Sequence, residues 1–362
     1  MNIRPHLESL PPYAPIEPFD VLSARSGRDS AQIIKLDANE NPYGPLLVVR
    51  EALGKLDFPH IYPDPESRAL RKALATFTGV AEDHLLAGSG ADELIDLLMR
   101  VFLEPNDCIL SCPPTFGMYP FDAELNAAHC VEVPRNADFS LDMESIRKAV
   151  EAYRPKLFFI TSPNNPDGSL IPPDVMDELL SLPTLIVLDE AYIEFAGENL
   201  GSGLSRIREV TVRENLFVLR TFSKWAGLAG LRIGYGAFPK WLMSTLWKSK
   251  QPYNVNVAAS VAAQVSLAHV EELTQVVERL KNERMRLCST LQEISYLEPY
   301  PTQSNFILCK VIGRDAAELK SRLAQEYGIF IRYFNKPGLR DHIRISVGRP
   351  EDTDTLIKAL KE

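Results

Sequence analysis

Apolar residues along the chain fall into two alternating patterns. Short apolar runs, CILSC (Cys108 to Cys112), KLFFIT (Lys156 to Thr161), TLIVLD (Thr184 to Asp189) and LFVLR (Leu216 to Arg220), read as strands covered on both faces. Longer segments place apolar residues at helical spacing: ESRALRKALATF (Glu66 to Phe77), ADELIDLLMRVF (Ala91 to Phe102) and SLDMESIRKAVEAY (Ser140 to Tyr153). This alternation predicts an α/β fold, a large doubly wound and mostly parallel sheet with ligands at the carboxyl ends of its strands.

The stretch from Asn256 to Leu291 contains neither proline nor glycine and predicts one long linking helix. Beyond it SNFILC (Ser304 to Cys309), GIFIRYF (Gly328 to Phe334) and HIRISV (His342 to Val347) predict strands of a smaller α+β domain. The first 45 residues are rich in proline and turn formers and end in KLDANENPYGP, as expected of an extended arm that adds to the small domain. The expected organisation is an arm over 1–45, a large domain over 46–255, a linking helix over 256–291 and a small domain over 292–362.

Composition narrows the function classes. The 362 residues are 45% hydrophobic and 24% charged, which excludes a disordered or collagen-like chain. Lys and Arg number 39 against 48 Asp and Glu, a net charge of −9, so a nucleic-acid partner is not expected. Five cysteines without a CxxC pair read as reduced thiols of a soluble, cytoplasmic protein, not as a zinc site, and no metal is expected. No apolar run reaches the ~18 residues of a membrane helix.

The sharpest chemical signal is TFSKWAGLAGLRIGYG (Thr221 to Gly236). Lys224 follows a predicted strand and is boxed by apolar residues and glycines, where a solvated ammonium has little reason to be. Ser223 and Arg232 add a hydroxyl and a guanidinium fork suited to a phosphate. A desolvated lysine near a cation moves toward its neutral amine, the form that attacks carbonyls. The segment therefore points to a Schiff-base lysine beside a phosphorylated aldehyde.

Asp189 ends an apolar strand, where a carboxylate serves as a helix cap, as a metal ligand or as the partner of a buried cation. TSPNNPDG (Thr161 to Gly168) is turn chemistry that can also present an amide. AGSGADELIDLL (Ala87 to Leu98) is a glycine turn opening a helix, whose free N–H groups suit a phosphate; Glu93 stands where a dinucleotide fingerprint has its third glycine. CPPTFGMY (Cys112 to Tyr119) places two aromatics beyond a strand, for core packing or for stacking on a flat ligand.

In this order on successive strand ends, the segments resemble the fold-type I aminotransferases that use pyridoxal 5′-phosphate. The family's pattern SKxxGLAGxRxGY is matched from Ser223 to Tyr235. The resemblance implies that Lys224 carries the cofactor aldehyde, Asp189 faces the pyridine nitrogen, and Tyr192 and Asn165 contact the ring oxygen. It further implies that Ala91, Asp92, Ser223 and Arg232 hold the phosphate and that Phe116 stacks on the ring.

DANENPYGP (Asp37 to Pro45), YPDPES (Tyr62 to Ser67), SPNNPDG and PPTFGMYPFDA (Pro113 to Ala123) are similar to the histidinol-phosphate aminotransferase branch. That likeness implies exchange of an amino group between L-histidinol phosphate and glutamate/2-oxoglutarate. It implies substrate contacts from Tyr13, Asn165, Arg332 and Arg344, and a homodimer in which Tyr62 reaches the neighbouring subunit's cofactor phosphate. An aromatic-amino-acid aminotransferase and a threonine-phosphate decarboxylase share the same lysine, aspartate and phosphate cup. A cofactor-binding regulator of transcription is disfavoured by the lack of a basic module, and a nicotinamide oxidoreductase by the missing glycine fingerprint.

Overall fold

The fold is that of a computed structural model describing residues 3–12 and 16–362. In chain order its strands are β1 (Ile34–Leu36), β2 (Leu85–Gly88), β3 (Cys108–Ser111), β4 (His129–Glu132), β5 (Leu157–Thr161), β6 (Leu185–Asp189), β7 (Leu216–Thr221), β8 (Gly234–Ala237), β9 (Leu297–Pro299), β10 (Phe306–Val311), β11 (Ile329–Tyr333) and β12 (His342–Ser346). Seven strands form one sheet in the order β2-β8-β7-β6-β5-β3-β4. Within it β8 runs antiparallel to β2 and β7, and the other pairings are parallel.

Residues alternate between the two faces of this sheet, and both are covered. Phe158, Ile160, Ile186, Leu188, Leu216 and Val218 join the core that holds Ile146, Val150, Met176 and Leu179 from two covering helices. Leu157, Phe159, Val187, Phe217 and Leu219 turn the other way, onto the helices Ala91–Phe102, Met118–Leu125 and Lys240–Ser249. Burial on both faces is why these strands read as unbroken apolar runs.

The second sheet has the order β1-β11-β12-β10-β9, with β1 parallel to β11 and the remaining pairs antiparallel. The segment before β1 is less extended than its composition predicts: Phe19–Ser26 is a helix that ends on Gly27 in the left-handed conformation, with Leu22 packed on Ile33 and Phe330.

One expectation is corrected. The stretch expected as a single helix is two, Val257–Ala268 and Val270–Gln292, divided at His269. His269 leaves helical geometry at φ −119° and ψ 36°, while its N–H still bonds to Val265 and Ser266 and its ring meets the Glu272 carboxylate at 2.8 Å. No proline or glycine marks the break, so composition alone could not show it. No helix among the described residues is long and apolar enough to cross a membrane.

Candidate active site

In the large sheet β3 is flanked by β4 on one side and β5 on the other, so the chain's winding reverses there. Such a reversal opens a crevice at the carboxyl ends of the strands. Loops after β3, β5, β6 and β7 meet in it, and the second sheet lies against them through β12 and the segment after β1.

Asp189 is the last residue of β6, paired in register with Thr161 of β5, and only 4% exposed. Its Oδ2 accepts a hydrogen bond from the Tyr119 hydroxyl at 2.8 Å and its Oδ1 one from the Ala191 N–H at 3.0 Å. Burial pushes the carboxyl up to about 6; the two donors oppose that rise, and the Asp92 and Glu190 carboxylates add to it.

Lys224 lies on the loop after β7, clamped by its neighbours. Trp225 is fully buried, stacks on Phe77 and Phe222, donates its ring N–H to Thr221 O, and accepts at its own carbonyl from Asn41. Gly227 has φ +70°, and a Cβ there would fall 2.4 Å from the Gly44 carbonyl carbon, so this turn admits only glycine. The Lys224 Nζ donates to Ala38 O at 3.0 Å. Burial first, and then the Arg344 guanidinium, bring its ammonium down to about 8, so near neutrality the neutral amine is far more populated than in an ordinary lysine.

Tyr192 is buried; its hydroxyl accepts from Asn39 Nδ2 at 3.0 Å, and burial pushes the phenol upward. Asn39 is locked by both sheets: its N–H donates to Ser346, its Oδ1 accepts from the same hydroxyl, and its carbonyl accepts from Asn305. Asn165, after β5, accepts at Oδ1 from Arg344 Nη1 at 2.5 Å, which leaves its NH2 to donate elsewhere. Arg344 on β12 also donates to the Asp37 carbonyl at 2.8 Å.

At the other end of the crevice, the helix Ala91–Phe102 begins at Gly90 with no side chain capping its first N–H groups. Arg232 reaches the same place, its Nη2 2.8 Å from the Asp92 carboxylate. A Cβ on Gly90 would lie 2.4 Å from that Nη2, and one on Gly234 would lie 2.7 Å from the Ala91 nitrogen, so both glycines clear the floor of this cradle. Ser223 is buried nearby in sequence and bonded to Thr221.

The remaining expected residues spread around this centre. Phe116 is half-buried and meets Tyr119 edge-on at 81°. Arg332 on β11 pairs in register with Arg344 and lies 5.7 Å from the Phe334 ring; no ion pair holds it among the described residues. Tyr62 is 79% exposed and stacks on Tyr253. Tyr13 lies outside the described residues.

Two participants were not singled out by the sequence. The sequence offers Tyr119 only as core packing or as a stacking platform, whereas it donates to Asp189. Asn39 lies within DANENPYGP, where local sequence gives it no role, and its contact with Tyr192 spans 153 residues of chain. No group of three or more His, Cys, Asp or Glu among the described residues could hold a metal ion.

A buried carboxylate, a lysine with a lowered pKa and a glycine-floored, cation-bearing helix start are brought together in one crevice. The Aminotransferase class I and II profile matches residues 31–360. The chain belongs to this family. Over 360 residues it is 57% identical to the chloroplastic histidinol-phosphate aminotransferase of Nicotiana plumbaginifolia, covering 99% of this chain and 86% of that one. The histidinol-phosphate aminotransferase of Roseiflexus castenholzii is 49% identical over 99% of this chain and 97% of its own length. Among solved structures, histidinol-phosphate aminotransferase from Sinorhizobium meliloti in complex with pyridoxal 5′-phosphate superposes with a TM-score of 0.89 at 29% identity, covering 99% and 96% of the two chains.

The donor set fits that cofactor: an amine for an aldehyde, a carboxylate for a pyridine nitrogen, and a cradle with uncapped N–H groups for a phosphate. As an aminotransferase of this family, the chain uses pyridoxal 5′-phosphate.

Proposed function

We propose that the chain transfers an amino group between L-histidinol phosphate and 2-oxoglutarate, giving imidazole acetol phosphate and L-glutamate, a step of histidine biosynthesis. The full-length likeness to histidinol-phosphate aminotransferases carries this reading. When bound, pyridoxal 5′-phosphate supplies an aldehyde that takes up the amino group and a ring that withdraws electrons from the carbon losing its proton.

The chain's own residues divide the remaining work. Lys224 holds the cofactor and, once displaced, its amine takes the proton from the substrate Cα and returns one, a task suited to its lowered pKa. Asp189 keeps the ring nitrogen protonated. Tyr192 and the free NH2 of Asn165 donate to the ring oxygen, and Phe116 covers a ring face. Ser223, Arg232 and the N–H groups of Ala91 and Asp92 hold the phosphate. Arg232 exchanges its Asp92 partner for that dianion.

Arg332 and Arg344 receive the substrate's anionic groups, with Tyr13 from the arm. A homodimer is proposed from Tyr62, whose exposure beside the exposed Phe58 and Ile61 suits a partner surface and a reach into the neighbouring site. A cytoplasmic-type reducing compartment is proposed from the five free cysteines.

The test is a comparison of amino donors. L-histidinol phosphate is expected to exceed L-phenylalanine in kcat/KM, and O-phospho-L-threonine to yield no carbon dioxide. Preference for phenylalanine, or decarboxylation of phosphothreonine, would overturn the substrate assignment.

A further inference from the structure

We propose that Tyr119 is a positioning residue for the reaction, one that holds the Asp189 carboxylate in its charged form through a hydrogen-bond chain of fixed direction. The inference rests on the reading that Asp189 faces the cofactor's ring nitrogen.

Tyr119 stands in the first turn of the helix Met118–Leu125, fully buried, its ring stacked on Phe159 at 4.9 Å. Its hydroxyl lies 2.8 Å from Asp189 Oδ2 and 2.8 Å from Thr161 Oγ1. A phenol has one proton to give, and an ionised carboxylate only accepts. That proton therefore goes to Asp189, and Thr161 must donate to Tyr119.

The next link bears on where the Thr161 proton goes. Thr115 donates to Asn164 Oδ1 at 2.9 Å, and Asn164 is turned that way because its NH2 donates to Pro114 O and to Asp167 Oδ1. With the Thr115 proton engaged there, the Thr161 hydroxyl faces two acceptors, Thr115 Oγ1 at 3.3 Å and the Tyr119 oxygen at 2.8 Å, and its one proton goes to the nearer, Tyr119. Thr161 of β5 and the carboxylate that ends β6 thus hold the buried Tyr119 O–H between them, aimed at Asp189.

The charges around Asp189 make this donor matter. Asp92, from the helix Ala91–Phe102, and Glu190, next in the chain, both disfavour the ionised form, as burial does. Against them stand the Tyr119 hydroxyl and the Ala191 N–H. Burial also keeps the phenol neutral well past its usual range, so its proton stays available to Asp189 at neutral and mildly alkaline pH.

The experiment uses the holoenzyme carrying Tyr119→Phe, and separately 3-fluorotyrosine at position 119. Without its donor, Asp189 competes more strongly for the proton it shares with the ring nitrogen. The ring then carries less positive charge, and the midpoint of the cofactor's visible band in a pH titration should rise by about one unit. Fluorotyrosine, a stronger donor of nearly the same shape, should move the midpoint down, and it serves if the phenylalanine variant does not fold.

In Tyr119→Phe, kcat should fall about tenfold with KM little changed. In the cofactor-free protein, the infrared band of protonated Asp189 should persist to higher pH. Cofactor uptake with an unmoved midpoint in both proteins would overturn the role of Tyr119. Failure of the unaltered protein to take up cofactor would instead overturn the functional reading.

Discussion

Replacing Arg332 by alanine isolates the recognition of a substrate phosphate. Arg332 makes no ion pair or hydrogen bond within the described residues and touches the Phe334 ring at 5.7 Å, so its removal breaks only a cation–π contact worth about 1 kcal/mol. The fold should therefore tolerate the change. A hydrogen bond to a charged group contributes ~1.5–3 kcal/mol, and a guanidinium fork on a phosphate makes two. Discounting for the half-exposed position, a loss of ~3 kcal/mol is expected, on the order of a hundredfold in kcat/KM.

The assay compares L-histidinol phosphate with L-histidinol, which lacks the phosphate. Alanine should cost about a hundredfold on the first and little on the second, because only the first has a group for the lost fork. Arg344, already bonded to Asn165 and the Asp37 carbonyl, stays in place in both cases. An equal loss on the two substrates, or none on either, would refute the assignment of Arg332 to the phosphate.

Two further outcomes follow from buried titrations. In the cofactor-free protein, Lys224 should react with an amine-selective reagent along a pH curve centred near 8, since burial disfavours its ammonium; a midpoint above 10 would contradict the crevice described here. Glu194 is buried with neither carboxyl oxygen hydrogen-bonded among the described residues, lies 3.8 Å from Arg220, and is pushed from 4.5 to about 8 by burial. The folded state then binds a proton that the unfolded chain releases, so stability falls as pH rises between those values. Glu194→Gln should flatten that fall by a few kcal/mol at most, read as a difference between denaturation curves at pH 5 and pH 8.5; parallel curves would refute it.

Much of the site was legible because its parts are local. Lys224 and its glycines occupy one loop, and Asp189 closes an apolar run whose burial on both faces is written in Ile186, Val187 and Leu188. What escaped notice joins distant segments. Tyr119 meets Asp189 across 70 residues, and no spacing rule connects a helix's first turn to the end of another strand. The strand β8 is hidden for a different reason: Gly234 serves both the ladder and the cradle while Gly236 makes room for Phe238 in the core, and in sequence both read as ligand-loop glycines alone. The break at His269 carries no breaker residue, and only packing in three dimensions reveals it.

The central claim concerns one amine. Purified protein should be incubated with pyridoxal 5′-phosphate, reduced with borohydride, digested and sequenced by mass spectrometry. A cofactor-sized addition on Lys224 is expected, lost in Lys224→Ala. Labelling at another lysine that tracks activity, or no specific labelling, would contradict it.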